Sequence, residues 1–383
     1  MRRVLCLYVT IGSGHRTAAN AIRHALLTLA PEVEVQILDP LAATWGGFVS
    51  VANFLNAIVL RLPHLYDHSW RTGNARFLGE SLAKFRPLAS IFEKVLDDFR
   101  PDVVVCTHAL PCNLLTKLKD RRPTLKLVGV ITDFGVHPYW PTEQVDLYAV
   151  PSEAAGDVLE RRGVRPETIL PTGIPVNPVF SESRDARPSA LALGLNPDDP
   201  IILIVAGAAQ FGPYVQFASQ LTHLIQNLTQ LSSPVQVIVV TGSNDRLKWR
   251  LEAQAGHLDL PVRVLGYVDH LHDLMCAATL IVSKPGGLVM AEALAVGRPL
   301  IVMPPGQGQE RMNADYLVRN GAGLEARDWR EALGMLADLL RDPERRQTMT
   351  ERAASLGKSL AAAQIAQSVM HLIADSVTLN ADA

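Results

Sequence analysis

The chain has 383 residues, of which 48% are hydrophobic, so it is long for one domain and can bury two cores. Its net charge is −2 and its pI is about 6.6, so composition gives no general reason to expect a nucleic-acid partner. The four cysteines show neither a usual zinc spacing nor a disulfide framework, so we expect no metal site and a reducing cytoplasm. No stretch approaches the roughly 20 uninterrupted apolar residues of a membrane-spanning helix.

The first part of the chain alternates between strand and helix patterns. The apolar run from Val4 to Thr10 predicts a buried parallel strand rather than a signal peptide, because it passes directly into a glycine-containing turn. Further strands are predicted over 33–38, 102–107, 125–132, 146–150 and 168–170, and helices over 16–30 and 153–163. This alternation favours a parallel sheet that is covered by helices on both faces.

His15 stands where the first strand turns into the first helix, in the sequence Gly12-Ser13-Gly14-His15. Histidine titrates near neutral pH, so it suits the removal of a proton from a reacting hydroxyl. A histidine that only makes local hydrogen bonds at a helix start is the alternative. The residues by themselves favour that alternative.

Residues 44–90 have a different composition from the rest of the chain. They combine a long apolar stretch, which includes Phe54 and Ile58, with a local excess of basic residues that includes Arg61, Arg71 and Arg76. Apolar, basic and aromatic residues together are typical of a segment that lies on an anionic membrane surface. A buried helix that covers the sheet explains the composition equally well.

The sequence ITDFGVHPYW at 131–140 ends another predicted strand. Asp133, His137 and Trp140 stand near the carboxyl end of this strand, where ligands of parallel sheets bind. The alternatives are a turn or helix cap for Asp133 and simple burial for Trp140.

The second part of the chain begins with a proline-rich stretch over 171–200, which predicts a linker. Strands are then predicted over 201–205, 235–241 and 262–265, with a small-residue loop after the first that includes Gly207. Ser243 or Asn244 is predicted to cap the helix after the second of these strands. Beyond Asp328 the pattern is helical.

Residues 283–323 are the most informative stretch of the chain. The apolar run 280–282 enters a Pro-Gly-Gly turn and a helix over 288–296, and the run 299–303 leads to a second helix starting near Gln309. Gly286 and Gly287 allow a ligand to approach the backbone closely. Together with Leu288 they open the helix, whose N–H groups and partial positive charge suit a diphosphate.

Polar residues in the same stretch suggest what else is bound. Glu292 falls one turn into the first helix, where a carboxylate can accept hydrogen bonds from ribose hydroxyls. Gln309, Glu310 and Asn313 cluster at the start of the second helix, where they can bind a sugar. Diphosphate, ribose and sugar together predict a nucleotide-sugar. The alternative is that these glycines only turn the chain. For an isolated Gly-Gly turn, this alternative and ligand binding would be about equally well supported.

The order of these residues resembles the donor half of inverting glycosyltransferases with the GT-B fold. More narrowly, it resembles the family of monogalactosyldiacylglycerol synthases and processive diacylglycerol glucosyltransferases, glycosyltransferase family 28. The matching positions are Lys284, Pro285, Gly286, Gly287, Glu292, Ala293, Leu294, Gly297, Pro299, Gln309, Glu310 and Asn313. Gly306-Gln307-Gly308 makes the last loop slightly different, and the sequences around His15 and Asp133 also match the family.

The resemblance implies an α/β architecture, the GT-B fold of two doubly wound Rossmann-like domains facing a central cleft. Residues 1–175 are expected to form an acceptor-binding, membrane-facing domain, joined by a linker over 176–200 to a UDP-sugar-binding domain over 201–355. The helix expected over 356–383 would pack back on the N-terminal domain.

The resemblance also implies a reaction, in which a hexose moves from a UDP-sugar to diacylglycerol or a related lipid with inversion. The UDP-sugar is a co-substrate, and no cofactor and no metal are expected. Either His15 or Asp133 is the implied base, and Gly14, His137 and Trp140 are implied to contact the acceptor. The implied donor contacts are Gly207, Ser243, Val268, Lys284, Gly286, Gly287, Leu288, Glu292, Gln309, Glu310 and Asn313.

The resemblance further implies that 44–90 guides the lipid acceptor, with Phe54, Ile58, Arg61, Arg71 and Arg76 docking on an anionic membrane. We therefore expect a cytoplasmic protein that associates peripherally with the inner face of the cell membrane. Three alternatives stay open: a GT-B transferase acting on a lipid-linked cell-wall precursor, a UDP-sugar epimerase of the same fold, and a non-catalytic binder of nucleotide-sugar or lipid.

Overall fold

A computed structural model of the chain describes residues 2–10, 14–44, 86–182, 185–207, 213–303 and 308–381. The chain forms two compact units. The first consists of Met1–Pro178 together with Lys358–Ala383, and the second of Val179–Gly357. The second unit is therefore inserted into the sequence of the first.

The first unit contains a parallel sheet of six strands in the order β2-β1-β3-β4-β5-β6. These strands are β1 Arg3–Leu7, β2 Glu34–Leu38, β3 Val103–Cys106, β4 Lys126–Val130, β5 Leu147–Ala149 and β6 Ile169–Leu170. Its helices include α1 Gly14–Leu29, α2 Pro40–Thr44, α3 Arg86–Phe99, α4 Ala109–Lys119 and α5 Glu153–Arg161.

Strand β1 shows why this sheet is covered on both faces. Successive side chains of a strand point to opposite faces. Leu5 and Leu7 belong to an apolar cluster with α3 and α4 on one face, whereas Val4 and Cys6 belong to a second cluster with α1 on the other. A strand buried on both sides needs an uninterrupted apolar run, which is the pattern that predicted it.

The loop that follows β4 is held down by a close contact between neighbouring strands. Gly129 in β4 pairs with Tyr148 in β5, and a Cβ atom on Gly129 would lie 2.4 Å from the Tyr148 ring. The Tyr148 hydroxyl donates to the Pro141 carbonyl at 2.5 Å, and its ring packs edge-on against Trp140. Only glycine leaves room at position 129 for the tyrosine that fixes this loop.

The second unit contains another parallel sheet of six strands, in the order β12-β11-β10-β7-β8-β9. The strands are β7 Ile201–Val205, β8 Gln236–Val240, β9 Val262–Leu265, β10 Leu280–Ser283, β11 Leu300–Val302 and β12 Gly323–Glu325. The helices are α6 Arg187–Ala192, α7 Pro213–Asn227, α8 Asp245–Ala255, α9 Leu271–Ala277, α10 Gly287–Ala295, α11 Gln309–Arg319, α12 Trp329–Arg341 and α13 Pro343–Leu356.

The structure differs from the predicted linker over 176–200. This stretch carries a 3-10 helix at Pro178–Ser181 and the helix α6, and from Val179 it belongs to the second unit. The Arg263 side chain donates to the Leu193 carbonyl at 2.6 Å, and the Gln236 side-chain amide donates to the Asn196 carbonyl at 2.6 Å. Prolines here shape a folded segment that packs on the edge of the second sheet.

The last helix, α14 Ala361–Ala381, belongs to the first unit. Its residues Ile365 and Val369 lie in the same apolar cluster as Ile22 and Leu26 of α1. The chain thus returns from the second unit to complete the first.

Each sheet has a switch point, which is a pair of neighbouring strands whose following connections run toward opposite edges of the sheet. It lies between β1 and β3 in the first sheet and between β7 and β10 in the second. Ligands of doubly wound sheets bind outside the carboxyl ends of the strands at such points. These two places are therefore where the fold predicts the functional residues.

Candidate active site

His15 lies at the switch point of the first sheet, near the start of α1. Its Nδ1 atom is 2.8 Å from the carbonyl oxygen of Thr107 and 3.0 Å from the hydroxyl oxygen of Thr132. Thr107 follows β3, and Thr132 lies just beyond the end of β4. The ends of three neighbouring strands therefore meet at one imidazole ring.

The contact with Thr107 fixes the tautomer of His15. A carbonyl oxygen only accepts hydrogen bonds, so Nδ1 must carry the hydrogen, and Nε2 of the neutral ring is left with a lone pair. Burial lowers the pKa of His15, although the hydrogen bond to Thr107 opposes this shift in part. A neutral imidazole with an unprotonated Nε2 is the form that a general base requires.

A second histidine, His108, lies close to His15, and a third, His137, is near His108. The ring of His108 stands edge-on to that of His15, with ring centroids 4.8 Å apart, and its Nδ1 accepts from the Leu110 amide at the start of α4. Burial, with smaller contributions from His15 and His137, holds the pKa of His108 well below its usual range. His108 is therefore neutral, with its hydrogen on Nε2. Sequence reasoning missed it, although a histidine directly after a buried strand was the available signal.

His137 was predicted to contact an acceptor, and it lies in the same group of histidines. Its Nδ1 accepts from the Tyr139 amide at 3.0 Å, which again places the hydrogen on Nε2. Burial, together with the nearby Arg162 guanidinium, lowers the pKa of His137 to about 4. The first unit therefore holds neutral imidazoles of both tautomers beside each other.

Asp133 directly follows Thr132 and is half-buried. The role of orienting the His15 ring, which was predicted for Asp133, is filled at Nδ1 by Thr107 and Thr132. A role for Asp133 as the base stays a prediction. Gly14, also predicted to contact the acceptor, is the first residue of α1.

Trp140 has an exposed fraction of only 6% and belongs to the apolar cluster of the first unit. Its ring packs edge-on against Tyr148, as expected for the alternative in which Trp140 is simply buried. Its predicted contact with an acceptor stays a prediction.

Asp39 is a second residue that the sequence did not reveal. Its carboxylate is buried and accepts from the amide and the hydroxyl of Thr10, at 2.7 and 2.6 Å, and from the Leu41 amide at 3.0 Å. It therefore ties the residue before the glycine-containing turn to the end of β2. An aspartate between a strand and a helix that begins with Pro40 is a usual capping signal.

In the second unit, the switch point brings together the residues that follow β7 and β10. The Ser283 hydroxyl donates to the Val205 carbonyl at 2.9 Å. Gly207 has a φ of 72°, and a Cβ atom on it would lie 3.9 Å from Cε of Lys284. The two loops predicted to contact the donor are therefore neighbours.

The start of α10 has the properties of an anion site. Gly286 precedes the helix in an extended conformation, no side chain caps it, and no acidic residue lies in its first turn. The first N–H groups of Gly287 and Leu288 are thus not occupied by a capping side chain, which suits a phosphate oxygen. Lys284 stands just before this turn.

Helix α11 is tied to the same loop. The Lys284 ammonium pairs with the Glu310 carboxylate at 2.5 Å, with exposed fractions of 22% and 11%. The Asn313 side-chain amide donates to the Pro285 carbonyl at 3.0 Å, and Asn313 is completely buried. Asn313 therefore supports the loop, whereas Gln309 and Glu310 stand at the first turn of the helix, where sugar contacts were predicted.

Glu292 is the most unusual ionisable group of the second unit. It is 7% exposed, and burial raises its pKa to about 8. Within the described parts of the chain, its carboxyl group has no hydrogen-bond partner. A buried carboxyl group without a partner is costly unless a ligand supplies hydrogen bonds.

The remaining predicted donor contacts lie at the ends of β8 and β9. Asn244, not Ser243, caps α8 by accepting from the Leu247 amide at 3.1 Å, and Ser243 is exposed beside it. Val268 is half-buried in the loop after β9. Both positions stay predicted contacts of the donor.

The predicted membrane contacts, Phe54, Ile58, Arg61, Arg71 and Arg76, lie outside the described residues. In the part of the chain that the structure covers, no helix is both long and apolar enough to cross a membrane. The same part shows no group of three His, Cys, Asp or Glu side chains arranged so that they could hold a metal ion together.

Comparison with known proteins gives the same assignment to both halves of the chain. The family model for monogalactosyldiacylglycerol (MGDG) synthase matches residues 15–176, and that for the glycosyltransferase family 28 C-terminal domain matches residues 201–369. The processive diacylglycerol beta-glucosyltransferase of Bacillus pumilus is 30% identical over 281 residues, covering 71% of this chain and 70% of that protein. The chain belongs to this family of glycosyltransferases.

Other members of the family are similar at the same level. The processive diacylglycerol beta-glucosyltransferase of Bacillus subtilis is 32% identical over 254 residues, which span 66% of this chain and 64% of that protein. The probable monogalactosyldiacylglycerol synthase 2 of Oryza sativa subsp. indica is 28% identical over 345 residues, 88% of this chain and 73% of that protein. The family predicted from the motifs is therefore confirmed.

Solved structures confirm the GT-B fold expected for the family. The Staphylococcus aureus MnaA–UDP co-structure has a TM-score of 0.63 at 13% identity and covers 95% of each chain. UDP-GlcNAc 2-epimerase of Neisseria meningitidis bound to UDP-GlcNAc has a TM-score of 0.63 at 14% identity, over 96% of this chain and all (100%) of that one. Acinetobacter baumannii MurG has a TM-score of 0.59 at 13% identity, over 97% and 100%. Identities this low show the fold alone.

Proposed function

We propose that this protein is an inverting glycosyltransferase, which moves a hexose from a UDP-sugar to diacylglycerol or a related lipid. The observation that carries the proposal is His15, a neutral imidazole whose Nε2 is unprotonated because the Thr107 carbonyl holds the hydrogen on Nδ1. A direct displacement needs one base to take the proton of the acceptor hydroxyl and no enzyme nucleophile. The names of the relatives, diacylglycerol glucosyltransferases and MGDG synthases, support the acceptor class.

The second unit supplies the donor side of the proposal. The N–H groups at the start of α10 and the Lys284 ammonium would bind the diphosphate, and the unpartnered Glu292 would accept from the ribose hydroxyls. Backbone groups near Val268 would read the uracil ring. Gln309 and Glu310 would contact the hexose. Structures of the same fold with UDP or UDP-GlcNAc bound make a UDP-linked donor the natural choice.

The proposed reaction is a single displacement. The acceptor hydroxyl oxygen attacks the anomeric carbon as the bond from that carbon to the UDP oxygen breaks, and the bonding electrons leave with UDP. The hydroxyl proton passes to Nε2 of His15, and the Thr107 carbonyl continues to accept from Nδ1 of the resulting imidazolium. Lys284 and the N–H groups of α10 stabilise the charge that develops on UDP, so no step is assigned to a metal ion.

A lipid acceptor requires contact with a bilayer, and we assign this contact to residues 44–90. Because each basic residue near an anionic leaflet contributes about 1 kcal/mol, changing Arg61, Arg71 and Arg76 together to serine should weaken liposome binding most at low salt. Phe54→Ser with Ile58→Ser should weaken it at every salt concentration, because apolar insertion is not screened. Sedimentation with liposomes measures both. Unchanged binding by two folded variants would assign the segment to core packing.

Docking of residues 44–90 on an anionic leaflet would place the protein at the inner face of the cell membrane.

A donor and acceptor screen tests the proposed reaction. The purified protein is incubated with radiolabelled UDP-glucose, UDP-galactose or UDP-GlcNAc and vesicles that contain diacylglycerol, and the lipids are separated by thin-layer chromatography. A labelled β-linked glycolipid that forms equally well in EDTA is the expected product. Conversion of the UDP-sugar into its epimer without labelled lipid would instead identify an epimerase. In parallel vesicles that contain a lipid-linked cell-wall precursor instead, labelling of that precursor alone would identify it as the acceptor in place of diacylglycerol.

A further inference from the structure

We propose that Thr107 and Thr132 are positioning residues that together lock the tautomer and the orientation of the His15 imidazole. This inference rests on the proposed function, in which His15 takes the proton of the acceptor. Thr107 carries no signal in the sequence, and Thr132 lies in the segment 131–140 without a role assigned from it. Both threonines contact the proposed base at Nδ1, the ring nitrogen opposite the one that would take the proton.

Thr107 holds His15 at two points. Its carbonyl oxygen accepts from Nδ1 of the ring at 2.8 Å, and its hydroxyl donates to the main-chain carbonyl of His15 at 2.9 Å. Thr107 is itself completely buried, and its amide donates to the Leu7 carbonyl at 3.0 Å. Since the ring and the backbone of His15 are held by one anchored residue, the ring cannot turn without breaking a buried hydrogen bond.

Thr132 completes the arrangement from the next strand. Its hydroxyl oxygen is 3.0 Å from the same Nδ1 atom, and the residue is 6% exposed. Because the Thr107 carbonyl requires a hydrogen on Nδ1, Thr132 acts as a second acceptor for that hydrogen. If the ring adopted the other tautomer, the Thr107 carbonyl would face a lone pair across a short distance.

Both acceptors are neutral, which distinguishes this arrangement from a carboxylate that orients a catalytic histidine. A carboxylate would fix the same tautomer but would also attract a proton to the ring. Two neutral oxygens fix the tautomer and leave the base uncharged. His15 can therefore take a proton during the reaction and release it again before the next turnover.

Kinetics of matched variants give the first test. Thr132→Val keeps the side-chain shape and removes the acceptor oxygen, whereas Thr132→Ser keeps the oxygen. We expect Thr132→Val to lower kcat by about 10–100-fold, since a misplaced catalytic group loses up to about 10²-fold, with the Kd for UDP unchanged within about twofold. Thr132→Ser should restore most of the turnover.

Thr116→Val is the control for the loss of a buried threonine hydroxyl. The Thr116 hydroxyl donates to the Asn113 carbonyl inside α4 at 2.7 Å, and the residue is 5% exposed. This variant should keep the wild-type kcat. Equal losses of kcat in Thr116→Val and Thr132→Val would assign the effect to stability and would overturn the proposal.

NMR of protein labelled with ¹⁵N-histidine tests the tautomer without any turnover. The signal of His15 is identified by its absence in His15→Gln. We expect a neutral ring with its hydrogen on Nδ1 in the wild type, and a mixture of tautomers or an altered ring shift in Thr132→Val. Thr107→Val keeps the main-chain carbonyl that accepts from Nδ1 and loses only the hydroxyl bond to the His15 carbonyl, so it should shift the ring signal and keep the tautomer. A wild-type ring with its hydrogen on Nε2, or a His15 signal in Thr132→Val that is identical to that of the wild type, would overturn the proposal. Because the spectrum needs no acceptor, this outcome is separate from failure of the proposed reaction.

Discussion

Glu292 should make the stability of the protein depend on pH in a direction that is unusual for a carboxylate. Burial raises its pKa from 4.5 to about 8. At pH 7 the folded protein therefore holds a proton that the unfolded chain has lost. With about 1.4 kcal/mol for each pKa unit, this lowers the free energy of unfolding by roughly 3 kcal/mol relative to a residue that does not titrate.

The sign follows from the raised pKa of the folded state. Glu292 carries no penalty below its unfolded pKa, and the penalty grows as pH rises through the pKa of about 8. Glu292→Gln has the same shape and no charge, so it serves as the reference. The thermal midpoint of Glu292→Gln should exceed that of the wild type, and the difference should widen between pH 5 and pH 8. A difference that stays constant over this range would refute the reasoning.

UDP should reverse this penalty, because ribose hydroxyls supply the hydrogen bonds that a buried carboxylate lacks. Loss of such a charge-assisted bond costs roughly 1.5–3 kcal/mol, so Glu292→Gln and Glu292→Ala should both bind UDP about 10–100-fold more weakly. Binding to the wild type at pH 7 should also release a proton from Glu292. Calorimetry in two buffers of different ionisation enthalpy measures this release against Glu292→Gln. Equal affinities and equal proton release would remove Glu292 from the donor site.

Further predictions concern the other parts of the site and the core. His15→Gln should lower turnover by about 10²–10⁴-fold with near-normal UDP affinity, and near-normal turnover would exclude His15 as the base. Asp133→Asn should keep most of the turnover, and a loss of the same size in this variant alone would make Asp133 the base. Lys284→Met should weaken UDP binding by about tenfold or more in calorimetry, and unchanged affinity would exclude a contact with the diphosphate. Gly129→Ala should lower the thermal midpoint, because overpacking costs about 1–3 kcal/mol, whereas Gly334→Ala in α12 meets no atom within 4 Å and should raise it slightly. Equal midpoints for these two variants would contradict the packing described around Tyr148.

The sequence predicted the elements of the fold well where an apolar run stands between turn residues. Strands β7 and β9 have the predicted bounds, and α11 begins at Gln309 as expected. Strand β7 is buried on both faces, so its composition alone marks it, whereas the half-buried edge strand β9 is marked by the residues that bound it. The alternation of strands and helices predicted parallel sheets but not the order of their strands, and it is this order that makes the loops after β7 and β10 neighbours.

Contacts between distant residues account for what the sequence did not show. Thr107 lies 92 positions from His15, and nothing in its own neighbourhood marks it as a partner of that ring. The raised pKa of Glu292 results from burial by the whole unit, and the pairing of Lys284 with Glu310 joins two loops. The packing of Trp140 in the apolar cluster of the first unit likewise depends on Tyr148, which lies on another strand.

The return of the chain to the first unit affects how this protein is made. Helix α14 supplies Ile365 and Val369 to the apolar cluster that also contains Ile22 and Leu26 of α1, the helix that carries His15. During vectorial synthesis on a ribosome, the whole of Val179–Gly357 is translated before α14 appears. The inserted unit can therefore fold while the earlier residues of α1 still expose their apolar face to water. A chain that ended after Gly357 would contain the whole second unit but would lack the helix that packs against α1.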